Sequence, residues 1–348
     1  IPSIPRGGKA ISLPRPLFAT HCRLPAHTRK EAHALARKTK AINDRLTWRK
    51  SFNKYKLLYL MLIPGVLWYV LFKYAPMFGI VIAFEKYQPF SGLKGMFNSK
   101  WVGLYWFRRF FKSIYAWRLI RNSLLISLKK LVVCFPSSIL LAILLNAIPG
   151  KIYKKSIQTV SYLPHFLSTV VVCSIVRTVT SVDGGLINMI IKAFGGEPIF
   201  FIGRNEYFQG VLVITELWKT IGWNSIVYLA AMTGIDPELY EAATVDGANW
   251  HHKILHVTLP AIAPIISLMF ILRCGELLNA GFEQVFLLYS SAVYETGDII
   301  DTYVYREGLV SLNYSYSTAV NVFKSVVALV MVLGSNFVAK KMGQEGIW

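Results

Sequence analysis

Residues 241–260 read EAATVDGANWHHKILHVTLP, a short polar stretch between two long apolar runs that decides how the whole chain is interpreted. Asp236 and Pro237 come just before it, and Gly247 lies within it. An Asp cap followed by proline marks the start of a helix, and a glycine beyond the last turn marks its end. The pattern predicts a short helix over residues 237–245, then a turn and a second short helix.

The spacing within this stretch is more specific than its helix signals. Glu-Ala-Ala is followed after three residues by glycine, and nine further residues lead to an aliphatic residue, any residue and Leu-Pro. This pattern resembles the cytoplasmic loop of permease subunits in binding-protein-dependent ABC importers, with Val257 where isoleucine is more frequent. The resemblance implies that the loop docks into a groove of an ATP-binding subunit, with contacts from Glu241, Ala242, Ala243, Asp246 and Gly247.

Similarity to the same family extends along most of the chain. It covers YLMLIPGVLWYVLFKYAPMFGIVIAF at 59–84, YLPHFLSTVVV at 162–172 and the terminal EGIW, which look most like permeases of oligosaccharide and polysaccharide-fragment importers, including alginate uptake systems. The resemblance implies half of an ATP-driven import path for an oligosaccharide, including an acidic one such as an alginate-like uronate oligomer. The implied partners are a second homologous permease, two ATP-binding subunits and an extracytoplasmic solute-binding protein.

Composition indicates a membrane protein. Hydrophobic residues make up 54% of the 348 residues, and the mean hydropathy is +0.44. Crossing the hydrocarbon core takes about 20 mostly apolar residues, and such windows occur near 57–82, 122–147, 157–181, 208–233, 259–282 and 317–339. These windows predict six transmembrane helices, and the resemblance implies the all-α type I ABC importer permease fold. The coupling loop, residues 234–258, then lies between spans four and five.

The net charge of +20 is concentrated at the N-terminus, where residues 1–54 hold 13 Lys or Arg and two acidic residues. Under the positive-inside rule this predicts cytoplasmic termini, although residues 85–121, placed outside, hold eight basic residues. The resemblance implies that the membrane is a bacterial inner membrane. We therefore expect a basic, partly irregular cytoplasmic segment at 1–53 that faces membrane lipid, and a permease domain at 54–348. No nucleic-acid-binding fold follows the basic segment, which argues against a nucleic-acid partner.

The sequence lacks the motifs of an ATPase or a metalloenzyme. It contains no G-x-x-x-x-G-K-[ST] phosphate loop, so ATP and Mg²⁺ are expected on partner subunits and no cofactor in this chain. The four cysteines are far apart, and His251, His252 and His256 have no neighbouring carboxylate or cysteine that would complete a metal site. The histidines are interpreted as surface or subunit contacts, and the chain as a permease rather than an enzyme.

Charged residues inside the predicted spans suggest a path for the substrate, because a charge at the centre of a bilayer costs at least ~2.5 kcal/mol unless it faces a cavity or a partner. One interpretation is two local ion pairs, Glu216–Lys219 and Arg273–Glu276. The other is a water-filled cavity with excess positive charge, also flanked by Arg177, in which tryptophans and amides contact a sugar. The candidate path residues are Glu216, Trp218, Lys219, Trp223, Asn224, Arg273, Glu276, Asn279, Asn321 and Lys324.

Two other classes of membrane protein compete with this interpretation. An ion-gradient-driven secondary transporter is the alternative; it is expected to show inverted repeats or broken helices, and spans one to three do not pair convincingly with spans four to six. A membrane-embedded enzyme is disfavoured because the spans hold no His-Glu zinc motif and no defensible catalytic pair. Transport without any ATPase would favour the secondary transporter.

Overall fold

The computed structural model describes residues 48–341 and residue 343. Most of the predicted basic segment and the terminal EGIW lie outside this part of the chain. Contacts divide the chain into two units, Ile1–Lys73 and Tyr74–Trp348. The described α-helices are α1 (Trp48–Tyr69), α2 (Ala75–Met77), α3 (Gly92–Asn98), α4 (Tyr105–Lys112), α5 (Ala116–Ala147), α6 (Lys151–Tyr162), α7 (Thr169–Val179), α8 (Leu186–Ala193), α9 (Asn205–Thr233), α10 (Pro237–Val245), α11 (Trp250–Lys253), α12 (Leu259–Gly275), α13 (Phe282–Leu288), α14 (Tyr294–Gly297), α15 (Ile300–Tyr305) and α16 (Tyr314–Lys341).

Short 3₁₀-helices and π turns join several of these helices. Among the described residues there is no β-strand, only an isolated bridge between Glu85 and Trp101. The short 3₁₀-helices are Phe78–Phe84, Pro89–Ser91, Leu163–Phe166 and Ser291–Val293, and the π turns are Val70–Tyr74, Ile254–Thr258 and Arg306–Val310.

The first apolar helix begins at a kink. Helix α1 has non-helical angles at Tyr55 (φ −112°, ψ 18°), and the apolar segment that could span a membrane runs from this residue to Phe84. Pro64 lies inside the helix, where it removes one backbone hydrogen bond and favours bending. The kink is one residue beyond the start of the predicted permease domain at 54.

Helices α5 and α9 form the centre of the second unit and run parallel. Near their starts, Ile126 of α5 shares a buried apolar cluster with Phe208 and Leu212 of α9. Near their ends, Ala142 shares another with Leu229. Because the two helices are parallel neighbours, the chain between them has to run back to the end at which α5 begins. The intervening segment, residues 151–179, supplies that return.

This returning segment is bent rather than straight. Helices Lys151–Phe166 and Thr169–Val179 meet at 99°, so the apolar window at 157–181 does not form one straight helix. Pro164 lies in the tight turn that ends the first half. Ser168 then starts a new helix, since its hydroxyl accepts the Val171 N–H at 3.3 Å. A break and a fresh cap are local signals that average hydropathy does not register.

Four described helices are long and apolar enough to cross a membrane: Tyr55–Phe84, Ala116–Ala147, Trp250–Gly275 and Tyr314–Lys341. Counting the bent pair as one span gives five. Helix α9 is not among them because polar residues such as Glu216 and Lys219 lower its mean hydropathy; Glu216 pairs with Lys130 of α5, and Lys219 bonds Thr169 of α7. Six spans therefore stay a prediction.

The predicted fifth span, 259–282, ends early. Helix α12 stops at Gly275, and the Glu276 N–H bonds the Arg273 carbonyl at 3.1 Å as the helix closes. The chain then turns at Gly281, whose φ of +88° is one that side-chain-bearing residues rarely adopt, and enters α13. The polar residues at 276–281 therefore belong to a turn and not to a lipid-facing helix.

Candidate functional site

The stretch around residue 241 forms a capped helix. The Asp236 carboxylate accepts the Glu238 N–H at 3.0 Å, Pro237 occupies the first turn, and α10 follows over Pro237–Val245. Proline has no N–H to lose in the first turn of a helix, and the cap satisfies one of the free donors there. The predicted helix over 237–245 is confirmed.

The end of α10 is a Schellman motif. The Gly247 N–H donates to the Thr244 carbonyl at 3.0 Å and the Ala248 N–H donates to the Ala243 carbonyl at 2.8 Å, while Gly247 has φ +79°. Asn249 then caps the next helix by accepting the His252 N–H at 3.0 Å, which confirms the predicted second short helix as α11. The polar stretch is therefore a defined helix–turn–helix.

Two side-chain bonds tie α10 to the helix that follows. The Tyr240 hydroxyl lies 3.0 Å from Thr258 Oγ1, and Lys253 Nζ donates to Thr244 Oγ1 at 2.8 Å. We call residues 236–258 the elbow. Because both bonds cross it, the elbow is expected to move as one piece with α12, which begins at Leu259.

The elbow presents a mixed polar and apolar surface. Of its five predicted partner contacts, Ala243 is half-buried and the others are exposed: Glu241, Ala242, Asp246 and Gly247. The sequence interpretation missed three apolar side chains beside them, Leu239, Val245 and Trp250, and Val245 is 88% exposed. These exposed side chains add apolar surface to the elbow.

The three elbow histidines form no metal site. All but His256 are confined to α11, and Nδ1 of His256 lies 3.1 Å from the His252 carbonyl oxygen. Among the described residues, no group of three His, Cys, Asp or Glu is placed to hold a metal ion. The histidine rings therefore act as part of the elbow's exposed surface.

A cavity of about 300 Å³ lies between α5, α9 and α12, and we call it the first cavity. Its volume is at the lower end of the range for ligand sites, roughly 300–1,000 Å³. Six of the ten candidate path residues line it: Glu216, Trp223, Asn224, Arg273, Glu276 and Asn279.

Lys130 of α5 is the central charge of the first cavity. Its side chain is 12% exposed and lies 3.5 Å from a Glu216 carboxylate oxygen. Its ammonium also donates to the Gln284 side-chain carbonyl at 2.6 Å and to the Ala280 backbone carbonyl at 2.9 Å. One lysine thus joins α5, α9 and the turn before α13.

The expected ion pair between Glu216 and Lys219 is not formed. Glu216 pairs with Lys130, and the Lys219 ammonium donates instead to the Thr169 hydroxyl of α7 at 2.8 Å. A buried lysine needs a counter-charge more than a partly exposed lysine does. Glu216, on the neighbouring helix α9, supplies that counter-charge to Lys130. Sequence spacing alone favoured the local partner because residues three apart share a helix face.

The second expected pair is confirmed. Arg273 lies 3.3 Å from the Glu276 carboxylate and also donates to the Asn224 side-chain carbonyl at 3.2 Å. With Lys130 and Glu216, the lining then holds two cations and two anions. The expected excess of positive charge is thus not found in the lining of this cavity.

The first cavity also contains an unsatisfied hydroxyl and an aromatic wall. Ser127 is buried, and within the described part of the chain its Oγ has no hydrogen-bond partner. Trp223 stacks on His165, with ring centroids 4.4 Å apart and planes within 5°. Of the other candidates, Trp218 and Lys219 line neither this cavity nor the next.

A second cavity of about 420 Å³ lies between α13, α15 and α16. It contains the remaining two candidates, Asn321 and Lys324, and Asn279 lines both cavities. Lys324 pairs with Asp301 of α15, with 2.5 Å between Nζ and Oδ1. The sequence interpretation missed Asp301 because it lies in a loop between predicted spans.

The segment that holds Asp301 is anchored by a buried carboxylate. Asp298 is fully buried, and Arg306 bonds both of its oxygens, at 2.8 and 3.3 Å. Burial alone lowers the pKa of Arg306, but the bonds to Asp298 and its negative charge outweigh burial and raise the pKa. The Asn122 amide of α5 donates to the Asp298 backbone carbonyl at 3.1 Å. This anchor fixes the wall of the second cavity against α5.

Comparison with known proteins identifies the chain. The family described as "Binding-protein-dependent transport system inner membrane component" matches residues 135–343. The polygalacturonan/rhamnogalacturonan transport system permease protein YteP of Bacillus subtilis is 47% identical over 84% of this chain and 90% of its own. The chain belongs to this family of inner-membrane permeases. A more distant relative, the arabinooligosaccharides transport system permease protein AraP of Bacillus subtilis, is 27% identical over 86% of the permease and 94% of its own length.

Solved structures agree with this membership. A chain from the crystal structure of a bacterial alginate ABC transporter, in complex with an alginate pentasaccharide-bound periplasmic protein, is 38% identical to the permease and matches with a TM-score of 0.79. The match covers 87% of the permease and all of that chain. The expected all-α ABC permease fold and the resemblance to polysaccharide importers are confirmed. Family membership also rules against the secondary transporter, even though the permease contains a broken helix, the bent pair Lys151–Phe166 and Thr169–Val179.

Proposed function

We propose that the permease forms half of an ATP-driven import path for an oligosaccharide that contains uronate units. The first cavity carries this proposal. It brings charged, amide, hydroxyl and aromatic groups together between membrane helices, where such groups are costly unless they face water or a ligand. The named substrates of the relative YteP and of the alginate transporter are acidic polysaccharides, which supports the uronate.

The elbow is the proposed attachment point for an ATP-binding subunit. Its exposed contacts and apolar neighbours suit a protein surface, and α12 connects it directly to the cavity residue Arg273. The full assembly then contains a second homologous permease, two ATP-binding subunits that hold ATP and Mg²⁺, and an extracytoplasmic solute-binding protein. Both termini and the elbow face the cytoplasm in this arrangement.

Arg273 is the proposed contact for a substrate carboxylate. The balanced charges of the first cavity leave no general attraction for an acidic sugar, so recognition has to be local. Arg273 is exposed and donates to one carboxylate oxygen of Glu276 and to the Asn224 side-chain carbonyl, which leaves other guanidinium N–H donors for a ligand. Lys219 lines neither the first nor the second cavity and serves as a matched control.

The test is substrate-stimulated ATPase activity of the transporter reconstituted with its partner subunits. We expect galacturonic acid oligomers to stimulate hydrolysis more than neutral arabino-oligosaccharides. Arg273→Gln should raise the half-maximal concentration of the acidic oligomer by about 10-fold, the worth of a charge-assisted hydrogen bond. Lys219→Gln should leave this concentration within about twofold of wild type.

The same preparation tests the elbow. Glu241→Lys should remove stimulation by substrate while basal hydrolysis by the ATPase continues, and the exposed Glu197→Lys, outside the elbow, should leave stimulation intact. Stimulation that survives Glu241→Lys, or transport in vesicles that lack any ATPase, would refute the coupling role.

A further inference from the structure

The second cavity contains polar groups that the proposed path through the first cavity does not use. Asn321 and Lys324 lie three residues apart on α16, ten residues or less from its start at Tyr314, and therefore share one face. An amide and an ammonium at this depth of an apolar helix are costly unless they face a cavity or a partner. Their presence calls for a ligand or water on that face.

The charges of Lys324 and Asp301 cancel in this cavity, and one carboxylate oxygen of Asp301 is left as a hydrogen-bond acceptor. Lys324 is held by Asp301 Oδ1, and both side chains are mostly buried, at 17% and 16% exposure. The other carboxylate oxygen, Asp301 Oδ2, is buried and has no hydrogen-bond partner in the described part of the chain. An unpaired buried carboxylate oxygen is unfavourable and accepts only from a donor, such as a hydroxyl.

Aromatic rings form another wall of the cavity. Phe282 and Tyr305 both line it, and their ring centroids are 5.7 Å apart. Phe286 packs behind Tyr305 at 4.9 Å. A ring face beside hydroxyl-binding groups matches a pyranose, which has an apolar C–H face and hydroxyls around its edge. The cavity volume of about 420 Å³ lies within the usual range for ligand sites, roughly 300–1,000 Å³.

The two cavities are neighbours. Asn279, in the turn after α12, lines both of them, and its N–H is fixed by the Glu276 carbonyl at 2.7 Å. A ligand that occupies the first cavity therefore has the second within reach of its next covalently linked unit.

We propose that the second cavity is a separate saccharide subsite, which binds an uncharged, hydroxyl-bearing edge of one sugar unit while the neighbouring unit occupies the first cavity. Asp301 Oδ2 accepts a sugar hydroxyl, the amides of Asn279 and Asn321 bond others, and Tyr305 stacks on the ring. A sugar carboxylate is disfavoured here because it would face the acceptor oxygen of Asp301. This proposal rests on the proposed oligosaccharide path.

The experiment uses the reconstituted transporter with its binding protein, galacturonic acid, and galacturonic acid oligomers of two and three units. The test variants are Asn321→Leu, which keeps the side-chain size, and Asp301→Asn, which keeps the shape. Ser325→Ala is the control, because Ser325 lies on the same helix and lines neither cavity. The half-maximal concentration for ATPase stimulation is measured for each of these three sugars.

A subsite predicts a length-dependent loss. For the dimer and trimer, each test variant should raise the half-maximal concentration by about 2- to 10-fold, the range for one lost hydrogen bond. The monomer value should stay within about twofold of wild type, because a single unit occupies the first cavity and neither variant removes a contact to it. Ser325→Ala should change none of the three values.

Three other results would overturn the proposal. Variants that match wild type at every length would show that the cavity holds no sugar, and the path through the first cavity would stand. An equal loss at every length would assign these residues to transport in general. Wild-type transporter that responds to no oligomer would refute the oligosaccharide path together with the subsite.

Discussion

The close contact between α6 and α9 yields a quantitative prediction. A Cβ added at Gly222 of α9 would lie 2.1 Å from the Ser161 carbonyl oxygen and 2.4 Å from its carbonyl carbon. Ordinary contact begins at 3.4 Å, so Gly222→Ala has to move the two helices apart by about 1.3 Å, from 2.1 to 3.4 Å. The obstructing atoms are backbone and cannot rotate away.

The expected cost follows from two opposing effects. Overpacking costs about 1–3 kcal/mol, and backbone obstruction favours the upper part of that range. Alanine recovers up to about 1 kcal/mol as a better helix former than glycine. The net result is a destabilisation of about 1–2 kcal/mol. Gly210 of the same helix has nothing within 4 Å of an added Cβ, so Gly210→Ala should be neutral or stabilising.

The measurement is thermal unfolding of the purified transporter, which should lose a few degrees in Gly222→Ala and none in Gly210→Ala. Substrate-stimulated ATPase activity should also fall in Gly222→Ala, since Ser161 precedes the ring of His165 that stacks on Trp223. Equal unfolding temperatures for the two variants would contradict the described approach of α6 to α9.

Two further substitutions probe the cavity and the elbow. Lys130→Met should lower the unfolding temperature by removing the partner of Glu216, at a cost of about 1–3 kcal/mol after allowance for its partial exposure; adding Glu216→Gln should recover part of the loss, and no recovery would count against the pair. Gly247→Ala should cost about 1 kcal/mol through its φ of +79° and reduce substrate stimulation more than basal hydrolysis; the Ala248→Ser control should change neither rate.

The elbow was predictable because its signals are local. The Asp236 carboxylate accepts the N–H of Glu238, two residues later, and the Gly247 N–H donates to Thr244, three residues earlier. Both bonds therefore join residues that are near neighbours in the sequence. The all-α membrane fold followed from apolar windows for a similar reason. The pairing of Arg273 with Glu276 also needed only helical spacing.

The parts that sequence missed depend on residues far apart in the chain. Glu216 pairs with Lys130 instead of Lys219, and Asp301 pairs with Lys324, because tertiary packing brings separate helices together. The 99° bend before Thr169 depends on a cap and a turn that an average over 20 residues conceals. Mean hydropathy likewise fails to identify α9 as a candidate span, because its polar residues bond to neighbouring helices.

The continuous helical run from Trp250 to Gly275 acts as a lever, so a small tilt at the elbow displaces its far end by a larger distance. Its 26 residues measure about 39 Å at 1.5 Å per residue, so tilting the elbow end by about 5° swings the far end through about 3 Å. Arg273 sits near that far end. A small rotation at the elbow thus produces a displacement comparable to a hydrogen-bond length at Arg273, the proposed contact for the substrate, without any residue between having to change conformation.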